Sequence, residues 1–329
     1  MNLKLKIKLI FFILFCLKIN HLYAQDVYFS QFYSSPIFLN PSLSGTSKNG
    51  RLALNYRNQY PALPAAYKTY ALSYDQYFPA IYGGLGFQIM QDEQADGQMK
   101  QFNAAASYSY HTKMSRFFSV AAGLEAAYRT NEIDFDKMIF PDQVDPLNGI
   151  QPITNELGIH STRRFWDFAT GITGFFKNTS FGATYHHMVY YEIGDFGGTQ
   201  DIYPGKLTLH FGMTIAKKRN GLKKSDMKWV PLIMYQQQND FRMAYYGMYF
   251  LRNPLMLGFW IKQNTKGQIE SFISMVGISV RNLKIRYSYD FPVGNLRNGT
   301  SGAIELSLLY EFDNRNGRSR KGDVPCPTF

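Results

Sequence analysis

Apolar and polar positions alternate with a period of two along most of the chain beyond residue 50. Leu52, Leu54 and Tyr56 alternate with Arg51, Ala53, Asn55 and Arg57, and Tyr70, Leu72 and Tyr74 with Thr69, Ala71, Ser73 and Asp75. Leu85, Phe87 and Ile89 alternate with Gly84, Gly86 and Gln88. Phe118, Val120, Ala122, Leu124 and Ala126 stand against Ser119, Ala121, Gly123, Glu125 and Ala127, and Ile304, Leu306, Leu308 and Tyr310 against Ala303, Glu305, Ser307 and Leu309. Period two places the sets on opposite faces of a sheet: one face large and apolar, the other small or polar. The whole pattern predicts about fourteen strands of roughly ten residues, the length of tilted transmembrane strands. They fall at 50–59, 67–77, 83–91, 101–111, 117–129, 165–176, 179–189, 206–216, 229–238, 241–251, 255–263, 268–281, 283–290 and 301–312. The ninth and tenth are weakest, because Pro231 stands near the start of one and the other is apolar on both faces.

The connections favour a closed barrel over a soluble sandwich. Odd-numbered connections are mostly long (92–100, 130–164, 190–205, 291–300) and even-numbered ones mostly short (112–116, 177–178, 252–254, Asn282). Long loops on one side and short turns on the other mark an outer-membrane barrel. The basic turn 217–228 and the tight ninth connection are exceptions. An even strand count predicts both termini in the periplasm. Tyr60, Tyr77, Tyr110, Phe117, Tyr128, Trp166, Phe176, Tyr190 and Trp229 lie near strand ends, where aromatic girdles form. The expected fold is therefore all-β: a closed antiparallel transmembrane β-barrel with an irregular N-terminal segment.

Composition agrees. Hydrophobic residues make up 45%, charged residues only 18% and aromatics 16%, as suits a strand-built protein. No run beyond the leader approaches 18 apolar residues, so no membrane helix is expected. Lys4, Lys6 and Lys8 precede the apolar run Leu9 to Leu17, and Leu22-Tyr23-Ala24 ends on a small residue. That is the pattern of a signal peptide cleaved after Ala24. The expected organisation is a signal peptide at 1–24, an N-terminal periplasmic or plug segment at 25–49, the barrel at 50–312 and a periplasmic tail at 313–329. With two cysteines, Cys16 in the leader and Cys326 near the end, neither a disulfide scaffold nor a four-cysteine zinc site is available.

Residues 25–45 carry Phe29, Phe32, Tyr33, Phe38 and Leu39 without clean alternation, and Pro36 and Asn40-Pro41 interrupt any strand. Three readings stand: a plug inside the barrel, a periplasmic docking peptide, or an irregular lead-in. Arg57 falls on the polar face and so points into the lumen, where Asp75 or Glu125 would be its partner. His186 and His187 are consecutive, which in a strand sends them to opposite faces and argues against a shared metal; His210 could approach one of them from the next strand. Asp134, Asp136, Asp142 and Asp145 lack EF-hand spacing and read as a solvated acidic loop. Gly83-Gly84-Leu85-Gly86 opens a strand rather than a helix, so it reads as relief of crowding and not as a dinucleotide loop. No catalytic motif is present, and neither an enzyme nor a cofactor is expected. Basic clusters at Lys217-Lys218-Arg219, Lys223-Lys224 and Lys228, and at Arg315, Arg318, Arg320 and Lys321, could meet an acidic partner or lipid headgroups. The compartment excludes nucleic acid.

The mature N-terminus runs Gln25-Asp26-Val27-Tyr28-Phe29-Ser30-Gln31-Phe32-Tyr33, then Pro36, Leu39-Asn40-Pro41-Ser42 and Gly45; the first strand ends Tyr56-Arg57-Asn58-Gln59-Tyr60-Pro61. This succession resembles the PorP/SprF family of type IX secretion system membrane proteins. Phe140-Pro141-Asp142-Gln143, Asp167-Phe168, Gly171, Gly182, His186-His187, Gly302 and Glu305-Leu306-Ser307-Leu308 are later landmarks that agree, and Tyr60 stands where the family usually has Trp. The resemblance implies an outer-membrane barrel that works with type IX secretion components and supports secretion or surface anchoring of large adhesin-like cargo in gliding bacteria, through the cargo's C-terminal domain. The alternative is a diffusion channel for a small solute. The longest predicted loops, 130–164 and 190–205, offer Ile133, Phe135, Met138, Ile139, Phe140, Tyr191, Phe196 and Tyr203 as exposed apolar anchors for a partner; equally, these side chains could serve to fold the loops over the barrel mouth.

Overall fold

The computed structural model describes residues 26–47, 49–63, 66–145, 149–151, 161–189, 192–195, 200–216, 227–293 and 301–313. Fourteen strands form the wall: β1 (Arg51–Gln59), β2 (Tyr67–Phe78), β3 (Gly83–Gln94), β4 (Met99–Lys113), β5 (Phe118–Ile133), β6 (Ser161–Phe176), β7 (Thr179–His186), β8 (Lys206–Met213), β9 (Met227–Gln238), β10 (Phe241–Arg252), β11 (Leu255–Asn264), β12 (Ile269–Val280), β13 (Leu283–Pro292) and β14 (Ala303–Glu311). Each pairs antiparallel with the next, and β14 returns to β1 with Arg51 opposite Glu311 and Gln59 opposite Ala303. The sheet is therefore closed and has no free edge along its circumference, as a bilayer demands.

The predicted spans fall on these strands, with corrections at the ends. β5 and β6 run to Ile133 and back from Ser161, so Ile133 is a strand residue and the longest connection is 134–160. The seventh strand stops at His186 rather than at 189. The eighth stops at Met213, followed by a two-residue piece, Ile215–Ala216. The leader, the tail beyond residue 313 and both basic clusters other than Lys228 lie outside the described residues.

Alternation sorts the two faces as physics requires. Leu54, Leu72, Phe87, Leu124, Phe168, Ile172, Phe181, Phe211, Phe259, Phe272 and Leu306 point outward and are exposed, as lipid-facing side chains are. Tyr110, Phe117, Trp166, Phe176 and Trp229 are exposed near strand ends. Tyr77 is not in a girdle: it is buried, facing inward, with its ring 5.4 Å from that of His111.

The inner face is divided. β1–β8, β13 and β14 turn mostly polar or small side chains inward, whereas β9–β12 turn in Val230, Leu232, Met234, Met243, Tyr245, Trp260, Ile273 and Met275, all buried. That explains a tenth strand apolar on both faces: one side meets lipid, and the other packs against Phe32, Tyr33, Leu39 and Leu43 of the N-terminal segment.

The segment 26–46 lies inside the barrel. Of the three readings, the plug is the one the structure supports. Pro36–Leu39 makes one helical turn and Pro41–Leu43 one 3-10 turn, with both prolines at first-turn positions that need no N–H. Asn40 caps the second turn, its Oδ1 accepting from Ser42 N at 2.9 Å. Phe29, Phe32, Tyr33, Ile37, Leu39 and Leu43 are buried, at about 1.5–3 kcal/mol for each large side chain.

Even strand number does place Arg51 and Glu311 at one mouth, the one bounded by the short connections. The N-terminal segment differs: it climbs from that mouth through the lumen, and Asp26 lies under the mouth bounded by the long connections, against Lys206 and Gln238. The first described residue therefore lies at the mouth opposite the start of β1.

Candidate functional site

The lumen and its plug form the candidate site. At the short-connection end the fit is backbone against backbone. The carbonyl of Ser44 would lie 2.1 Å from a Cβ at Gly84, and Ser42 N would lie 2.2 Å from one at Gly123. Only glycine lets the turn at Asn40-Pro41-Ser42 and Gly45 sit this close to β3 and β5. Gly45 N donates to Asp75 Oδ2 at 2.8 Å, and Arg51 pairs with the same carboxylate at 2.8 Å. Asn40 Nδ2 points at the carbonyls of Ile172 and Ala183 at 3.3 and 3.2 Å.

Midway, the motif residues meet the barrel seam. The Gln31 N–H donates to Glu305 Oε1 at 3.1 Å, the Ser30 N–H donates to Glu305 Oε2 at 2.7 Å, and Gln31 Nε2 donates to Ser288 Oγ at 3.0 Å. Arg57 does point inward, but its partners are Asp290 at 2.9 Å and Glu305 at 3.1 Å rather than Asp75 or Glu125. It also donates to Ser30 Oγ at 2.7 Å and lies 4.8 Å from the Tyr28 ring centroid. All three charged side chains are almost wholly buried, so each depends on the others for neutralisation.

At the long-connection mouth Asp26 is the hub. Its carboxylate accepts from Lys206 Nζ at 2.6 Å, lies 2.7 Å from His187 Nε2 and accepts the Tyr203 hydroxyl. His187 Nδ1 lies 2.6 Å from Asp167, which also pairs with Arg129 at 2.9 Å. Burial alone would raise the Asp26 carboxyl, but His187, Lys206 and Arg129 hold it well below the usual carboxylate range. Burial and the Asp26 carboxylate push the Tyr203 phenol up.

This cluster corrects two expectations. β7 ends at His186, and His187 has a positive φ of 60°, so the backbone turns and both rings are buried instead of facing opposite ways. His210 meets Asn40 at 3.2 Å. Tyr203 is not an exposed loop anchor; it is 4% exposed and stacked edge-on against His187.

The other predicted residues are dispersed. Tyr56 packs on Tyr70 on the outer wall with centroids 5.2 Å apart. Asn58, next along, leaves Arg57 and Gln59 to face inward, and Gln59 lines the mouth. Phe135 and Phe140 stack on one another, 6.5 Å apart at 16°, with Met138 half-buried; Ile139 is the exposed member at 58%. Tyr191 and Phe196 lie outside the described residues. Asp134 pairs with Lys137 at 3.3 Å, and among the described residues no group of three or more His, Cys, Asp or Glu could hold a metal.

The outer half of the lumen is less filled. A cavity of about 370 Å³ lies between Asp26–Tyr28 and Arg57, Tyr60, Tyr67 and Asp92. Another, of only about 60 Å³, lies on the other side of the same three residues. The site is thus a cup with a plugged floor. Sequence reading missed Asp26, Arg129, Asp167, Lys206 and Asp290; all but Asp26 stand at inward parity in their strands or at a strand end, the signal by which alternation could have found them.

Comparison with known proteins gives the following. The sequence matches, over residues 21–310, the family model described as type IX secretion system membrane protein PorP/SprF. No curated protein matches. Among solved structures the chain is similar to the Ralstonia pickettii toluene transporter TbuX (TM-score 0.49, 10% identity, 84% of this chain and 93% of that one). It is also similar to a Pseudomonas aeruginosa FadL homologue (TM-score 0.47, 11% identity, 88% and 100%).

Proposed function

The chain belongs to the PorP/SprF family of type IX secretion system membrane proteins, and from that premise we propose that it is the outer-membrane barrel that supports secretion or surface anchoring of large adhesin-like cargo. The family places it in the outer membrane with the type IX machinery. The finer reading is that the long connections face outward and meet the C-terminal domain of an adhesin-like substrate, in an organism that moves or adheres by such surface proteins.

One observation carries this reading: the lumen is occupied by the chain's own residues 26–46, held by the Asp26–Lys206 ion pair at one end and by hydrogen bonds to the buried Arg57–Glu305 and Arg51–Asp75 pairs along the rest of the path. A barrel filled in this way is suited to be a rigid platform. The long connection 134–160, with Ile139 exposed beside the Phe135–Phe140 stack, is the proposed contact surface. Shortening that connection should leave barrel insertion intact and abolish surface retention of one large partner. Retention of every surface protein by cells carrying the shortened barrel would remove the loop from the proposal. Complete deletion that spares surface proteins but stops uptake of a solute would replace the platform with a diffusion channel, a reading to which the two cavities at the mouth lend support.

A further inference from the structure

The larger cavity at the long-connection mouth, about 370 Å³, is the size of a small-molecule site. β1, β2 and β3 form its wall, and Asp26–Tyr28 at the head of the plug close it on the other side. Val27 is the one aliphatic residue on the lining, so an apolar guest would displace water from polar groups without replacing its hydrogen bonds. The charged groups do not recruit an ion. Arg57 and Asp92 are 2% and 1% exposed; Arg57 is neutralised by Asp290 and Glu305, and Asp26 by Lys206. What the cavity shows to a guest is neutral: the amides of Gln59 and Gln94 and the phenols of Tyr60 and Tyr67, none of them fully buried.

These groups have hydrogen-bonding capacity to spare. Among the described residues the Gln59 amide and the hydroxyls of Tyr60 and Tyr67 have no hydrogen-bond partner. Gln94 donates one N–H to Asp92 at 2.9 Å, and Asp92 also accepts the Thr69 hydroxyl at 2.6 Å. That fixes the Gln94 amide and leaves its Oε1 and second N–H for a guest. The two tyrosine rings meet edge to face, 6.2 Å apart at 77°, and Tyr67 is 41% exposed. Tyr60 holds a φ of 60°, an outlier for a bulky side chain. Its N–H donates to the Gly302 carbonyl at 2.7 Å, and the Ala62 N–H to Ser301 Oγ at 2.9 Å. A non-glycine residue kept in this conformation by its surroundings is typical of binding sites. Amides that both donate and accept, beside an open ring, suit a ligand with hydroxyls at its edge and C–H groups on its face.

We propose that this cavity binds a neutral saccharide of one or two rings. A C–H face of the sugar lies on Tyr67, and its hydroxyls exchange hydrogen bonds with Gln59 and Gln94. Asp92 is a positioning residue, acting through the Gln94 amide that it holds. The site stands whether the barrel is a platform or a channel. A free sugar and the end of a glycan on a protein presented at that mouth share this chemistry.

The test uses full-length protein in a detergent that carries no sugar headgroup, with maltose, cellobiose, lactose and diacetylchitobiose as probes, followed by saturation-transfer NMR. Saturable binding of at least one is expected, with transfer strongest to protons on one ring face. Tyr67→Ala should weaken it roughly 3- to 10-fold, because the aromatic contact is lost. Gln59→Leu, which keeps the bulk and removes the amide, should weaken it by a similar factor. Tyr82→Ala, which removes an exposed ring at the short-connection mouth, should leave affinity unchanged. Heat-modifiability on gels verifies that each variant is a folded barrel; if Gln59→Leu does not fold, Tyr67→Ala carries the test. Absence of saturable binding of every probe at tens of millimolar overturns the proposal. So does undiminished affinity in folded Tyr67→Ala, or a loss in Tyr82→Ala equal to that in Tyr67→Ala. Competition by the bound sugar coupled to a carrier protein identifies a protein-borne glycan as the source; binding without such competition identifies a free sugar.

Discussion

Arg57→Ala probes the bond between the plug and the barrel seam. The side chain links four elements: its own strand β1, Asp290 on β13, Glu305 on β14, and Ser30 and Tyr28 of the plug. Removing it leaves two buried carboxylates facing each other without a cation. Breaking a buried pair in this way costs about 3–5 kcal/mol. At about 2 °C per kcal/mol for a chain of this size, the melting temperature should fall by roughly 6–10 °C. The assay is heat-modifiability in detergent at one fixed heating rate, because barrels of this kind unfold under kinetic control. Hydrogen exchange should localise the loss to residues 28–34, whose amides at Ser30 and Gln31 bond to Glu305. Adding Glu305→Gln to Arg57→Ala removes one stranded charge and should recover part of the loss. A variant that melts within about 2 °C of the wild type, with unchanged protection at 28–34, would refute the claim that this ion triad anchors the plug.

Acid should open the upper clasp: Asp26 is held below its ordinary range in the folded protein, so its contribution is full above about pH 4 and is lost as pH falls below it. Conductance of the reconstituted barrel should therefore rise in that window, and Asp26→Asn should show the rise already at pH 7; an identical acid profile in both proteins would remove Asp26 from the clasp. Gly123→Val should expel the turn at Pro41-Ser42, since its Cβ would meet Ser42 N at 2.2 Å, a cost of about 3 kcal/mol or more; the check is protease access to residues 36–46, and a variant as resistant as the wild type would contradict the close fit. Deleting residues 26–46 should raise single-channel conductance or lower the melting temperature, and neither change would mean the segment does not fill the lumen.

Alternation gave the barrel its strands because each face has a constant environment, lipid outside and polar or small groups inside. It weakened in β9 and β10, where the inner environment is itself apolar; Met243, Tyr245 and Tyr249 pack on a plug that no local pattern describes. The inward direction of Arg57 followed from parity, but its partners did not. Asp290 and Glu305 become neighbours only through closure of the first strand on the last, a contact between residues 248 positions apart for Glu305. His187 escaped because a single left-handed residue ended its strand three positions earlier than the apolar pattern suggested. Tyr203 escaped because an aromatic in a long connection reads as exposed until a buried acceptor, here Asp26, is known to lie beneath it. The glycines of β3 and β5 were legible as relief of crowding; that the crowding comes from the N-terminal segment was not.

The path of that segment has a mechanical polarity. Among the described residues its far end, Asp26, is held under one mouth by ion pairs and hydrogen bonds, while its near end continues directly into β1 at the other, within the nine-residue seam that closes the sheet. Traction applied at Asp26 from the long-connection side is resisted by the covalent chain and, through β1, by the whole ring of strands. Traction from the short-connection side meets no such stop: it draws the segment back past Gly123 and Gly84 and undoes the Asp26, Arg57 and Asn40 anchorages one after another. The barrel thus resists load in one direction as a tether and yields in the other as a ratchet without teeth, so that work done on the short-connection face is the kind of work able to empty its lumen.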